Sequence, residues 1–155
     1  MGSVGFDAAV LPLRARRRKE GWGPFLSYIK GGHDVYRAWE YPDATITVDG
    51  TPHTTPQLIS TILAVQRYYG YETQVMRTGN DGSLHVRMIS GGRGTLVLGA
   101  ITALCKRLSV GAEQRAQRIV MTSARELPAQ VDGEIYRNGT EFTAEIVPGT
   151  IRMIY

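Results

Sequence analysis

A single cysteine, Cys105, stands among 155 residues, which excludes an internal disulfide framework and any thiolate-based zinc spacing. His33, His53 and His85 are scattered, so no histidine cluster for a metal and no Cys–His nucleophile pair can be read from their spacing; Cys105 falls inside an apolar helical pattern and reads as core. No run approaches the ~18 to 20 uninterrupted apolar residues of a membrane-spanning helix. The opening "MGSVGFDAAV" lacks the charged-then-apolar layout of a signal peptide, and Phe6 stands where a myristoylation signal wants Ser or Thr. A phosphate loop of the Walker type is missing too: "SGGRGT" at residues 90–95 has neither the length nor the closing Lys-Ser/Thr and reads as a polar linker capping the next helix. These absences leave the expectation of a cytoplasmic protein, in solution or peripheral at a membrane surface.

What is present is enough for one domain, expected over residues 1–155. The hydrophobic content is 43% and the net charge +4, a balance that favours anionic partners such as phosphates, acidic lipid headgroups or nucleic acid without choosing among them. The charge is concentrated in "RARRRKEGW", where Arg14, Arg16, Arg17, Arg18 and Lys19 crowd together. Desolvating unpaired charge is costly, so this run is expected to be solvated, either as a plain helix end or as a membrane-surface patch.

Periodicity orders the chain. "GSVGFDAAVL" reads as a short strand running into a helix. "GPFLSYIKGGHDVYRAWEY" has helical spacing interrupted at Gly31-Gly32, which predicts two short helices or one broken one. "ATITVDGTPHT" is a hairpin with Asp49-Gly50 at its turn. "LISTILAVQRYYGYETQVM" reads as strand, turn or bulge, and strand, and "SLHVRMI" alternates with Leu84, Val86 and Met88 on one face. In "GTLVLGAITALCKRL", Leu96, Val97, Ala100, Ile101, Leu104 and Leu108 form an apolar stripe, with Lys106 and Arg107 expected in the last turn. The final third is a series of short alternating runs cut by Pro128, Asn138-Gly139 and Pro148-Gly149, the pattern of antiparallel β-structure. The expected fold class is α+β and mainly β: an antiparallel β-sandwich, or partly closed barrel, with a few helical insertions.

Three Asp-Gly pairs compete for attention. Asp49-Gly50 is most economically a turn. Asp81-Gly82 follows Thr78, Gly79 and Asn80, so that several carbonyls and a carboxylate can converge on a hard cation such as magnesium or calcium, or simply reverse the chain. Asp132-Gly133-Glu134 adds a second carboxylate two positions on. In an extended segment residues i and i+2 share a face, which would let both address one site as general base and organiser; a turn is the competing reading.

In their order and spacing, "GSVGFDAAV", "NDGSLHVRMI", and "QVDGEIY" followed by "FTAEIVPGTIRMI" resemble the C-terminal lobe of the diacylglycerol kinase family, which includes bacterial lipid kinases, sphingosine kinases and ceramide kinases. The resemblance spans about residues 2–155. It implies a two-lobed enzyme in which an N-terminal α/β lobe with a Gly-Gly-Asp-Gly-Thr signature binds ATP and a C-terminal β-sandwich lobe helps to bind the lipid, the γ-phosphoryl group passing to a lipid hydroxyl. By that resemblance Asp132 and Glu134 match the catalytic Asp-Gly-Glu, an acidic residue deprotonating the acceptor. The family's Asp-Gly-x-Leu matches Asp81 to Leu84, which implies Mg2+ held near Asp81, Thr78 and Ser83, and Gly5 to Ala8 would lie near the interlobe cleft.

Departures accompany the match. The ATP-binding lobe is absent from these residues, so the chain alone is expected to be inactive, with the nucleotide lobe supplied by the same or another chain; "GSVGFDAAV" reads as the continuation of a longer one. "YYGYETQVMRT" replaces a Gly-rich run, and His85 stands where an acidic residue commonly follows Asp-Gly-x-Leu. A non-catalytic module binding lipid or an anionic membrane surface through Arg14 and Arg16 to Lys19, with Trp22 and Phe25 beside them, is the alternative. Nucleic-acid binding lacks a base-stacking signature.

Overall fold

The computed structural model describes residues 1–69, 72–77, 79 and 81–147. The turn or bulge predicted at Gly70, Thr78 and Asn80 of the following loop, and the closing run at 148–155 lie outside the described residues.

Helices gather in the first two-thirds of the chain and long strands at its end. Strand β1 (Gly2–Gly5) runs directly into α1 (Phe6–Lys19), followed by α2 (Pro24–Ala38). The hairpin β2 (Ala44–Val48) and β3 (Thr51–Thr55), strand β4 (Leu58–Ala64), the short β5 (Tyr68–Tyr69) and β6 (Thr73–Gln74), and β7 (Leu84–Ser90) precede α3 (Arg93–Leu104). The chain then makes β8 (Ala112–Ala116) and the long hairpin β9 (Arg118–Val131) and β10 (Glu134–Glu145).

Eight strands form one antiparallel sheet, and its geometry is set by β9. Along 119–123 β9 pairs with β2, and along 129–131 the same strand pairs with β1, while β10 follows its other side. The two half-sheets, β3-β2-β9 and β8-β7-β4-β1-β9, therefore share one strand. Pro128, which has no N–H to donate, falls where β9 leaves one partner for the other, and β10 shifts register between Ile135 and Arg137 and again between Gly139 and Glu141. Such bulges bend a strand. The result is a curled half-barrel, mainly β with three helices among the described residues, as the alternation predicts.

The concave side holds one core, with Val4, Ile46, Leu58, Val86, Ile119, Met121 and Leu127 buried together. Leu84, Val86 and Met88 share it, in keeping with their alternation. A second cluster, including Ile59, Ile62, Val75, Met76 and Ile89, is covered by Leu96 of α3 and by Phe6 and Tyr36. With both faces covered, β7 is buried along nearly its whole length. Trp39 fastens the end of α2: its Nε1 donates to the Leu58 carbonyl at 3.0 Å, and its ring meets Phe6 edge-on with centroids 5.8 Å apart.

Four expectations about the helices are corrected. The Gly31-Gly32 pair does not break α2, which runs unbroken from Pro24 to Ala38. Gly31 is instead the contact with α1: a Cβ there would lie 3.2 Å from the Arg14 amide nitrogen and 3.4 Å from the Val10 carbonyl oxygen. The apolar stripe of α3 is not buried as a unit. Leu96 and Gly99 face inward, whereas Val97, Leu98, Ile101 and Leu104 are exposed. Cys105, expected in the core, is exposed as well. Gly99 abuts Val110, which fixes the inward face of the helix; Lys106, at φ 59°, then turns the chain out of it, so Lys106 and Arg107 lie beyond the last turn.

The two glycines of α2 predict opposite outcomes in urea unfolding. Gly31→Val is expected to cost about 1–3 kcal/mol by overpacking the helix pair. Gly32→Ala meets nothing within 4 Å and should be neutral or stabilising by up to about 1 kcal/mol through helix propensity. Equal effects at both positions would contradict the close approach.

Candidate functional site

Asp132 and Gly133 are the central residues of the β9–β10 turn, with φ 51° and 85°. Those left-handed angles are what a two-residue hairpin loop needs, and Asp-Gly suits them. The same-face reading of Asp132 and Glu134 is thereby corrected: it requires extended backbone, and Asp132 is not extended. Glu134 opens β10 opposite Val131. Both side chains stand at the exposed tip of the hairpin, Asp132 with 76% of its side chain accessible. Its carboxylate lies 2.5 Å from the Met1 amino nitrogen, and its amide donates to the Met1 carbonyl at 2.7 Å.

What holds this tip is a buried polar chain that the sequence did not single out. Gln130, 1% exposed, donates from Nε2 to the Ser3 hydroxyl at 2.9 Å, and its Oε1 accepts the Gly133 amide at 2.8 Å. Ser3 in turn donates to Asp7 Oδ2 at 2.8 Å, and the Tyr28 hydroxyl donates to Asp7 Oδ1 at 2.8 Å. The Gly-Phe-Asp-Ala segment at Gly5 to Ala8 thus reaches the Asp132 turn through one glutamine, two segments that the sequence resemblance treats separately. Gly5 permits this entry: at φ 111°, a Cβ would sit 2.6 Å from the Ile59 carbonyl oxygen. The usable signal was the polar Gln130 beside the inward-facing Ala129, at a place where β9 is covered on both sides.

Asp49-Gly50 closes the β2–β3 hairpin with φ 47° and 86°, as expected of a turn. The Asp49 carboxylate also accepts the Gln117 and Arg118 amides at 2.9 and 2.8 Å, latching that turn to the β8–β9 corner.

Asp81 has a different environment. Its Oδ1 accepts the Ser83 amide at 3.1 Å and lies 3.0 Å from His85 Nε2, while Arg115 Nη2 approaches Oδ2 at 3.2 Å. The His85 hydrogen bond is the main cause holding the Asp81 carboxyl below its usual range, with the Ser83 amide second. His85 is fully buried and its Nδ1 lies 3.8 Å from Glu113. Glu113 accepts Arg87 Nη2 at 2.7 Å, and Arg87 also donates to the Val75 and Val110 carbonyls. Burial lowers the pKa of that guanidinium. A small cleft beside Arg87, also lined by Gln74, Arg77, Arg107 and Ser109, includes neither Asp132 nor Glu134. Thr78 lies outside the described residues.

A magnesium ion needs surplus oxygen charge. Here the Asp81 carboxylate is already paired with a guanidinium and in hydrogen-bond contact with a histidine, and no group of three or more His, Cys, Asp or Glu among the described residues is placed to hold a metal. The described donors at this loop do not fit Mg2+ on their own.

The basic run forms the end of α1. Arg16 and Arg17 pair with Glu20, and Arg17 reaches Asp34 of α2 at 3.0 Å. These hydrogen bonds hold Glu20 and Asp34 below their usual carboxylate range, Arg17 being the largest cause for each. Arg14 is half-buried, whereas Arg18 and Lys19 are exposed. No helix of the described residues is long and apolar enough to cross a membrane.

With this geometry in view, the comparisons with known proteins separate fold from sequence. No family model matches the chain, and no curated protein matches it. Solved structures do. A crystal structure described as a putative diacylglycerol kinase from Bacillus anthracis str. Sterne superposes with TM-score 0.60 at 15% identity, covering 97% of this chain and 53% of that one. A second such structure from the same organism gives 0.60 at 16% identity, and a third, a diacylglycerol kinase, gives 0.55 at 13% with 50% of its chain covered. The chain has the fold of about half of these proteins, the extent expected of a C-terminal lobe, and spans about half their length.

Since the folded-state pKa of Asp81 is depressed, its stabilising contribution is present above the unfolded value and lost as pH falls through the folded one. Wild type and Asp81→Asn should therefore differ in unfolding free energy at neutral pH and converge in acid. A constant gap across the titration would contradict the His85 and Ser83 contacts.

Proposed function

We propose that this chain is the lipid-side lobe of a two-lobed lipid kinase, in which an ATP-binding lobe completes the site at the β9–β10 tip. The observation carrying the proposal is the match of 97% of the chain to about half of each diacylglycerol kinase structure. The position of Asp132 and Glu134 at an exposed tip, where a second lobe can close over them, supports it. ATP and its magnesium belong to the other lobe in this reading. In the reaction, the lipid hydroxyl oxygen forms a bond to the γ-phosphorus while the bond from that phosphorus to the β-phosphate bridging oxygen breaks. Asp132 takes the hydroxyl proton and Glu134 orients the acceptor, so this lobe contributes base and positioning, with phosphate charge neutralised elsewhere.

A second reading has its own support. Asp132-Gly133 has nearly the angles of Asp49-Gly50, where the aspartate serves turn and latch alone, so turn chemistry by itself accounts for an aspartate at 132. The chain would then be a lipid- or membrane-binding module without catalysis.

Asparagine is as well suited as aspartate to this turn, so Asp132→Asn removes the carboxylate and keeps the hairpin. In the chain joined to an ATP-binding lobe, the variant should lose about 10²–10⁴-fold in transfer from ATP to diacylglycerol with its urea midpoint unchanged. The chain alone should transfer nothing. Full activity in the variant would favour the binding module.

A further inference from the structure

The tip of the α1–α2 helix pair is apolar where a free surface should be polar. On α2, Ser27, Gly31 and Val35 face inward at four-residue intervals. The outward positions carry Phe25 at 54% exposure, Leu26 at 56% and Ile29 at 42%, and Trp22, in the preceding turn, is 42% exposed. Phe25, Leu26 and Ile29 fall on one side of α2, and Trp22 stands in the connection just before that helix. All residues from Arg18 to Leu26 are exposed, so Arg18 and Lys19 flank the apolar group directly. The one acidic side chain between them and Trp22, Glu20, is engaged by Arg16 and Arg17, and the Arg17–Asp34 bridge ties the two helices together behind the tip. α1 begins at Phe6, beside the Ser3–Gln130 chain, and its far end lies roughly 20 Å along the helix axis from that chain.

From this arrangement we infer that the α1–α2 tip docks on an anionic lipid bilayer, with Trp22, Phe25, Leu26 and Ile29 entering the headgroup boundary and Arg18 and Lys19 meeting lipid phosphates. Charge complementarity selects this occupant. An apolar helix face with cations at its edge is the composition of an interfacial element rather than a spanning one, and tryptophan is favoured at that depth. The exposed face of α3 is followed by Lys106, which Glu72 engages at 3.2 Å, and by Arg107, which lines the cleft beside Arg87, so its cations are committed elsewhere and it carries no similar assignment. The tip does not depend on the chain being half of a kinase, because binding to lipid needs no phosphoryl transfer.

Flotation of the chain with vesicles of phosphatidylcholine, and of phosphatidylcholine mixed with phosphatidylglycerol, tests the tip. The chain should float with the anionic vesicles and less as salt is raised, and brominated lipid should quench a fluorescence component that Trp22→Tyr removes. Phe25→Glu and Leu26→Glu should each weaken partitioning by roughly tenfold, and Arg18→Glu with Lys19→Glu should abolish the preference for phosphatidylglycerol. All these side chains are exposed, so a circular dichroism spectrum identical to wild type is expected throughout. Failure of the folded chain to float, flotation undiminished by Phe25→Glu and Leu26→Glu, or a concentration-dependent dimer that Phe25→Glu dissociates without any vesicle binding would each overturn the inference. Loss of phosphoryl transfer in Asp132→Asn with flotation intact would separate the two proposals.

Discussion

Strand β9 offers one of its edges to two partners in succession, β2 and then β1, and most of the architecture follows from that division. A strand shared by two half-sheets must bend between them. Pro128 and the register shifts of β10 lie along that bend, and the curl they produce encloses Ile46, Leu58, Val86 and Met121 in one core. Because β1 pairs with the last residues of β9, the start of α1 is brought beside the β9–β10 turn. The buried contacts of Gln130 with Ser3 and Gly133 then fix the turn against the helix entrance. A buried amide with its partners removed is costly, so the tip carrying Asp132 is held by the same polar chain that anchors Asp7.

That arrangement gives the candidate site an asymmetric character. Its supports are buried and hydrogen-bonded, whereas its carboxylates face water. In the proposed two-lobed reading, a second lobe would enclose this exposed acid on its rigid mount. β10 has the same character: it is exposed over much of its length and, among the described residues, paired on one side only, by β9. Open strand edges are usually managed by covering them, and Ile135 and Tyr136, exposed next to Glu134, are the apolar surface that the proposed second lobe would cover. The Asp81 loop is built in the opposite manner. Its carboxylate is already paired with His85 and Arg115, and the buried chain of His85, Glu113 and Arg87 behind it is organised as structure.

Much of this was legible in the sequence. Period-two alternation located β2, β3 and β7 and marked the final third as antiparallel β-structure, and Asp49-Gly50 announced its own turn; Pro128 and Asn138-Gly139, expected to cut that third into short runs, lie instead inside the long strands β9 and β10. The misreadings share one physical cause, that a local pattern does not reveal what lies across from it. Gly31-Gly32 looks like a helix break until α1 is seen to need the missing side chain. The α3 stripe looks like core, yet Val110 and the cluster around Met76 fill the space beneath it with Leu96 alone from the helix. Asp132-Gly133-Glu134 reads as a same-face pair only if extended, and Asp132 is in a left-handed turn. Gln130 was passed over because burying both faces of a strand erases the alternation that marks one of them, leaving only a polar residue beside an inward-facing alanine as its signal.

Amide hydrogen exchange along β10, with and without the half of a structural neighbour that this chain does not match, tests most directly whether this chain is half of a two-lobed site. The two-lobed account predicts that amides around Glu134 to Arg137 exchange more slowly when the lobe is added and nucleotide is bound. Unchanged exchange at the hairpin tip, under conditions where the two pieces are shown to associate, would contradict it.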